Sequence, residues 1–123
     1  MKYTYDIYPA QRILSVKLQG GLYTDEVTLM DKEIRLKANG LNYKIVYDFR
    51  KTTNHISVAD AYYWFVAEYN KMLFDLKYIP VAKITNEQDR DFFDFFGLTA
   101  TNKGCIMKIC KDETSAFQWL EQF

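Results

Sequence analysis

Lys44-Ile45-Val46-Tyr47-Asp48 is the stretch that decides the fold. It is short and almost continuously apolar, as a central strand covered on both faces should be. A polar loop over 49–56 follows. Ser57 then opens a helix, and Asp60 completes an S-x-x-D capping box. Along that helix Val58, Tyr62, Phe65, Tyr69, Met72 and Leu76 make an unbroken apolar stripe at steps of four and three residues.

The alternation of strand and helix continues on both sides. Upstream, residues 2–8 put Tyr3, Tyr5 and Ile7 on one face and Thr4 and Asp6 on the other. Residues 12–19 repeat the pattern with Leu14, Val16 and Leu18 opposite Ser15, Lys17 and Gln19. Pro9-Ala10-Gln11 joins the two as an antiparallel hairpin, and Gly20-Gly21 ends it. Thr24 caps the first helix, with Asp25 and Glu26 in the turn where the macrodipole favours anions. Val27, Met30, Ile34 and Ala38 face inward. Asp31/Arg35 and Glu33/Lys37 are i,i+4 pairs on its wet side, and Asn39-Gly40 is the stop.

Downstream, residues 81–85 are a short strand. Thr85 or Asn86 caps a helix to about Phe96, with Phe92, Phe93 and Phe96 inward. Residues 105–110 are the last strand. Asp112 caps a final helix whose buried face is Ala116, Trp119, Leu120 and Phe123. The order is β-β-α-β-α-β-α-β-α. It predicts a single α/β domain over residues 1–123, with one mixed, mostly parallel five-stranded sheet and four helices.

Composition narrows the function. The chain has 123 residues, of which 10 are Tyr, 9 Phe and 2 Trp, enough to build a core. Lys+Arg and Asp+Glu are 16 each, so the electrostatic footprint of a dedicated nucleic-acid binder is missing. The longest apolar run, 61–67, is closed by Asp60 and Glu68, far short of the roughly 18 residues of a transmembrane segment. Met1 to Asp6 holds no signal-peptide core. Cys105 and Cys110 have opposite parity on one strand, so no disulfide is expected between them. His55 is the only histidine and no C-x-x-C exists, which leaves no zinc site and makes the cytoplasm the expected location.

The order and its landmarks resemble the STAS-type domains, in particular the SpoIIAA-like group. The resemblance spans the chain. It rests on the hairpin, on Gly20-Gly21 before the Thr24-Asp25-Glu26 helix start, and on Ile45-Val46-Tyr47-Asp48-Phe49. The closing helix, with Asp112 as cap and Ala116, Trp119 and Leu120 in an A-x-x-W-L pattern, also fits. It implies a regulatory or binding module. In anti-sigma-factor antagonists a D-S-S-G motif at the loop before the second helix carries a phosphorylated serine. Here that motif falls on Ile56-Ser57-Val58-Ala59, with Val58 at the accepting position and Ser57 one residue early.

Two sets of residues are candidates for function. Arg50, Thr52, Thr53, His55 and Ser57 share the loop at the carboxyl end of the central strand, where open α/β sheets bind ligands and a helix N-terminus attracts anions. The plain alternative makes Ser57 a helix cap and His55 a solvated loop residue. Tyr62, Tyr63, Trp64 and Phe74 exceed what one helical stripe explains. They call for neighbouring-helix packing, a symmetric dimer or protein partner, or an apolar ligand in a cleft. The acidic cluster Glu87, Asp89, Asp91 and Asp94 reads as the wet face of a helix. The expectation is a binding module acting through protein–protein contact, switched at the loop. Its alternative is a small apolar-ligand or lipid-binding protein using an aromatic cleft beside the second helix. Neither requires a cofactor, a metal or a catalytic residue.

Overall fold

The computed structural model describes residues 1–123. Its five strands run β1 (Lys2–Tyr8), β2 (Ile13–Leu22), β3 (Lys44–Asn54), β4 (Val81–Ile84) and β5 (Met107–Cys110). They lie in the order β1-β2-β3-β4-β5, with β1 antiparallel to β2 and every other neighbouring pair parallel. Helices α1 (Thr24–Leu41), α2 (Val58–Ala67), α3 (Phe74–Lys77) and α4 (Arg90–Asn102) connect the parallel strands, and α5 (Glu113–Leu120) closes the chain.

The strand order sets the layering. Right-handed crossovers that always step the same way along a sheet put their helices on one face. The core shows this. Leu14, Val16, Ile45, Tyr47 and Val81 pack under Met30, Ile34 and Ala38 of α1, Leu76 of α3 and Phe93 of α4. The last helix is not a crossover and takes the other face. Ile13, Val46, Ala82, Ile84 and Cys110 meet Ala116 and Leu120 there.

Four helices have seven residues or more, but the second crossover differs from the expected continuous helix. A straight helix from 57 to 76 would be about 28 Å long. The four-residue strand β4 it must feed is about 13 Å. The chain therefore breaks after Ala67, makes a 3-10 turn over Tyr69–Lys71, and restarts as the one-turn α3. Tyr69 stays in a cluster with Phe65, Ala100, Cys105 and Met107, while Leu76 crosses to pack with α1.

Strand β3 corrects the polar-loop reading, for Arg50, Thr52 and Thr53 lie on a strand. It extends to Asn54 because Lys51 to Asn54 pair with Gln19 to Leu22, past an irregularity between Lys17 and Gln19. Gly20-Gly21 is thus inside β2. Gly20 takes a left-handed φ of 98° against the Met1 backbone. At the far end α4 begins at Arg90, not at Thr85 or Asn86, and runs on to Asn102. Asn86 is committed elsewhere: its Nδ2 donates to the Thr52 carbonyl at 3.0 Å and its Oδ1 accepts from Asp89 N at 2.9 Å. In α5, Ala116 and Leu120 are buried as expected, but Phe123 is half exposed and Phe117 packs edge-on against Tyr8 instead.

Candidate functional site: an aromatic cavity beneath α2

The proposed loop residues do not converge. Arg50 forks onto Asp48, with Nη2 to Oδ2 at 2.7 Å and Nε to Oδ1 at 3.0 Å. Partial burial opposes the charge on Asp48, yet these bonds hold its carboxyl below the usual range. Thr52 is buried and donates to the Phe49 carbonyl at 2.7 Å. Thr53 points to the opposite sheet face by strand alternation. His55 stacks on Tyr23, ring centroids 4.8 Å apart. Ser57 Oγ accepts from Asp60 N at 3.1 Å, the capping-box bond. No hydrogen bond joins His55 to Ser57, and no group of three or more His, Cys, Asp or Glu is placed to hold a metal ion.

The aromatic set divides. Tyr62 and Tyr63 point outward and are 50% and 67% exposed. Phe74 lies on α3, not α2, and stands 75% exposed with its ring edge-on to Tyr78. Trp64 alone turns inward, half-buried against Phe65, Tyr69 and Phe96 at centroid distances of 5.0, 5.9 and 6.0 Å.

Trp64 roofs a cavity of about 60 Å³. Twelve of the 18 residues around it are apolar. Helix α1 supplies Val27 and Met30, the sheet supplies Tyr47 and Phe49, α4 supplies three phenylalanines, and Met107 closes one side. Its outer wall is weakly held, since only Ala61 and Phe65 of the ten α2 residues are buried. A groove of about 390 Å³ between α1 and the α2–α3 connection adjoins it. The two spaces share Thr28, Asp31, Arg35 and Trp64.

The cavity floor is charged. Asp31 and Arg35, expected on the wet side of α1, are 9% and 3% exposed. Arg35 Nε donates to Asp31 Oδ2 at 2.9 Å and Nη1 to the Leu76 carbonyl at 2.8 Å. The Tyr47 hydroxyl donates to Asp31 Oδ1 at 2.7 Å. Burial pushes the Tyr47 phenol well above its usual range, and the Asp31 charge adds to this. Lys83 sits beside Tyr47 in register on β4 and lines the same cavity. Its Nζ lies 4.1 Å from the Phe96 ring centroid and 5.8 Å from that of Phe49. Burial pulls this ammonium down to about 8.

A mixed sheet opened by a hairpin, three crossovers on one face and a closing helix on the other define a SpoIIAA-like fold, the arrangement the STAS resemblance implied. A solved structure with this arrangement is that of an uncharacterized protein of the DUF3478 family from Shewanella loihica PV-4, described as having a SpoIIAA-like fold. The match covers 96% of this chain and 93% of that one, with 15% sequence identity and a TM-score of 0.59. At that identity the likeness is one of fold. No protein-family model matches the chain, and none of the curated proteins does. No helix is long and apolar enough to cross a membrane.

Proposed function

We infer that the protein is a binding module for a small, largely apolar ligand, held between α1, α2, α4 and the sheet. The observation that carries this reading is the Trp64-roofed cavity with the α1–α2 groove beside it, the two sharing Thr28, Asp31, Arg35 and Trp64 in their walls. Together they approach the size range of small-molecule sites, with a mostly apolar cavity opening beside a groove whose lining is half apolar and half polar. The SpoIIAA-like fold supports a module that binds rather than one that performs chemistry of its own. Two free, buried cysteines fit a reducing compartment such as the cytoplasm. The test is native mass spectrometry of freshly purified protein. A small-molecule adduct lost on unfolding is expected, and a bare mass from several expression hosts contradicts the reading.

A second reading has its own observation. Tyr62, Tyr63 and Val66 on the outer side of α2, with Leu73 and Phe74 beyond it, are all at least 46% exposed. Aromatic surface of this kind suits a protein partner or a second copy of the chain. Light scattering decides it: a dimer mass that Tyr63→Glu returns to monomer supports this reading. A monomer at all concentrations removes the homodimer. The phospho-switch expected at the loop finds less support, because Ser57 Oγ is already the α2 cap.

A further inference from the structure

We propose that Lys83 recognises the anionic end of the ligand, so that the cavity takes an aliphatic or aromatic monocarboxylate with its apolar body in the α1–α2 groove. This rests on reading the cavity as a ligand site and adds the chemical class of the ligand.

The argument begins with charge. Asp31 and Arg35 neutralise each other through a 2.9 Å ion pair, and Tyr47 takes up the other carboxylate oxygen. Lys83 forms no salt bridge and no hydrogen bond. Every fully enclosed side-chain nitrogen and oxygen has a partner, so the unpartnered Nζ must border open space. The cavity is the space it lines. The groups facing Lys83 are the Asp31–Arg35 pair from α1, Tyr47 from β3 and Cys105 ahead of β5, while α4 presents only Phe92, Phe93 and Phe96. Asp60 of α2 also lines the cavity, but it is exposed. The floor therefore carries one uncompensated positive charge, walled by aromatic rings.

An unpaired cation in a half-buried aromatic wall is costly unless it meets an anion. A carboxylate suits it better than a bulkier anion. At one water-sized group per roughly 10–15 Å³ the cavity of about 60 Å³ admits only a few heavy atoms. The remaining body of the ligand must then lie in the groove, whose apolar side is Leu36, Ala67, Met72, Leu73 and Leu76 and whose rim carries Lys32, Glu68 and Lys71. Lysine supplies a point charge without the planar fork of arginine, which matches a small headgroup approached from one side.

The test is isothermal titration of the full chain with sodium octanoate and with 1-octanol, which share the chain and differ in the head. At pH 7 octanoate should bind at least about tenfold more tightly, the scale of a charge-assisted hydrogen bond in a dry site. Lys83→Met should erase that margin, bringing the two affinities together, and Lys83→Arg should retain part of it. Wild-type protein gives the same answer without a variant. Raising the pH from 7 to 9.5 takes the ammonium through its value of about 8 and should remove the margin. Equal binding of both probes, indifferent to Lys83→Met and to pH, overturns the carboxylate assignment and leaves the apolar-ligand reading standing. No binding of either probe overturns both.

Discussion

Replacing Arg35 by methionine tests whether the α1 charge pair is an interior element of the fold. On an exposed helix face an i,i+4 pair is worth about 0.3–0.5 kcal/mol. Here Arg35 is 3% exposed, and its guanidinium serves both the Asp31 carboxylate and the Leu76 carbonyl. Arg35→Met would strand a buried carboxylate against Tyr47 and free the carbonyl that ties α3 to α1. Breaking a buried pair from one side costs about 3–5 kcal/mol. For a chain of this size that lowers Tm by roughly 10 °C or more. The assay is urea unfolding at pH 7, read as a fall in midpoint at constant m-value. Asp31→Asn added to Arg35→Met removes the stranded charge and keeps an acceptor for Tyr47. The double variant should therefore be more stable than Arg35→Met alone by at least about 1 kcal/mol. A loss below about 1 kcal/mol for Arg35→Met, or a double variant less stable than the single, refutes the buried-pair account.

Other outcomes follow from the same contacts. Lys83 gives up its proton at about 8 when folded, whereas an unfolded lysine holds it to about 10.4. Between these values the unfolded lysine binds more protons, so the wild type should gain stability relative to Lys83→Met as pH rises, by up to about 3 kcal/mol, while the buried thiols of Cys105 and Cys110 and the phenols of Tyr47 and Tyr69, all raised on folding, pull both proteins the other way. Chemical denaturation of both proteins at pH 7, 8, 9 and 10 measures it, and a stability difference that does not change with pH contradicts the burial of this lysine. Ser57→Ala removes the cap of α2 and should cost about 1 kcal/mol in the same assay. Gly97→Ala adds a methyl 2.8 Å from Ile109 Cγ1, and the clash, about 1–3 kcal/mol, should outweigh the helix-propensity gain of about 1. Differential scanning calorimetry would show the reverse order if that contact were slack.

Much of the fold was legible because two periodicities rarely conflict in this chain. Strand alternation marked the hairpin, and the apolar run at 45–47 marked the sheet centre. What was missed lay where pairing or packing overruled local pattern. Arg50 to Asn54 looks like a loop by polarity, yet Thr52-Thr53 is β-branched and faces the end of β2. The stripe from Val58 to Leu76 has perfect helical spacing, but its two ends serve different neighbours, α4 and α1. Asp31 and Arg35 sit one position beyond Met30 and Ile34, on the flank of a buried arc wider than one stripe. Of the candidate site residues, only Trp64 lines the cavity. Lys83 carried a signal that was available: a lysine inside the short strand Val81-Ala82-Lys83-Ile84, where a strand covered on both faces has no ordinary place for a charge.

The cavity's methionines offer the most direct measurement. Met30 and Met107 line the cavity, Met72 lines the groove, and Met1 lies outside both. Selective methyl labelling and titration with octanoate should shift the Met30 and Met107 signals, with Met72 following and Met1 unmoved. Shifts absent from Met30 and Met107 at saturating octanoate would contradict a ligand site beneath α2.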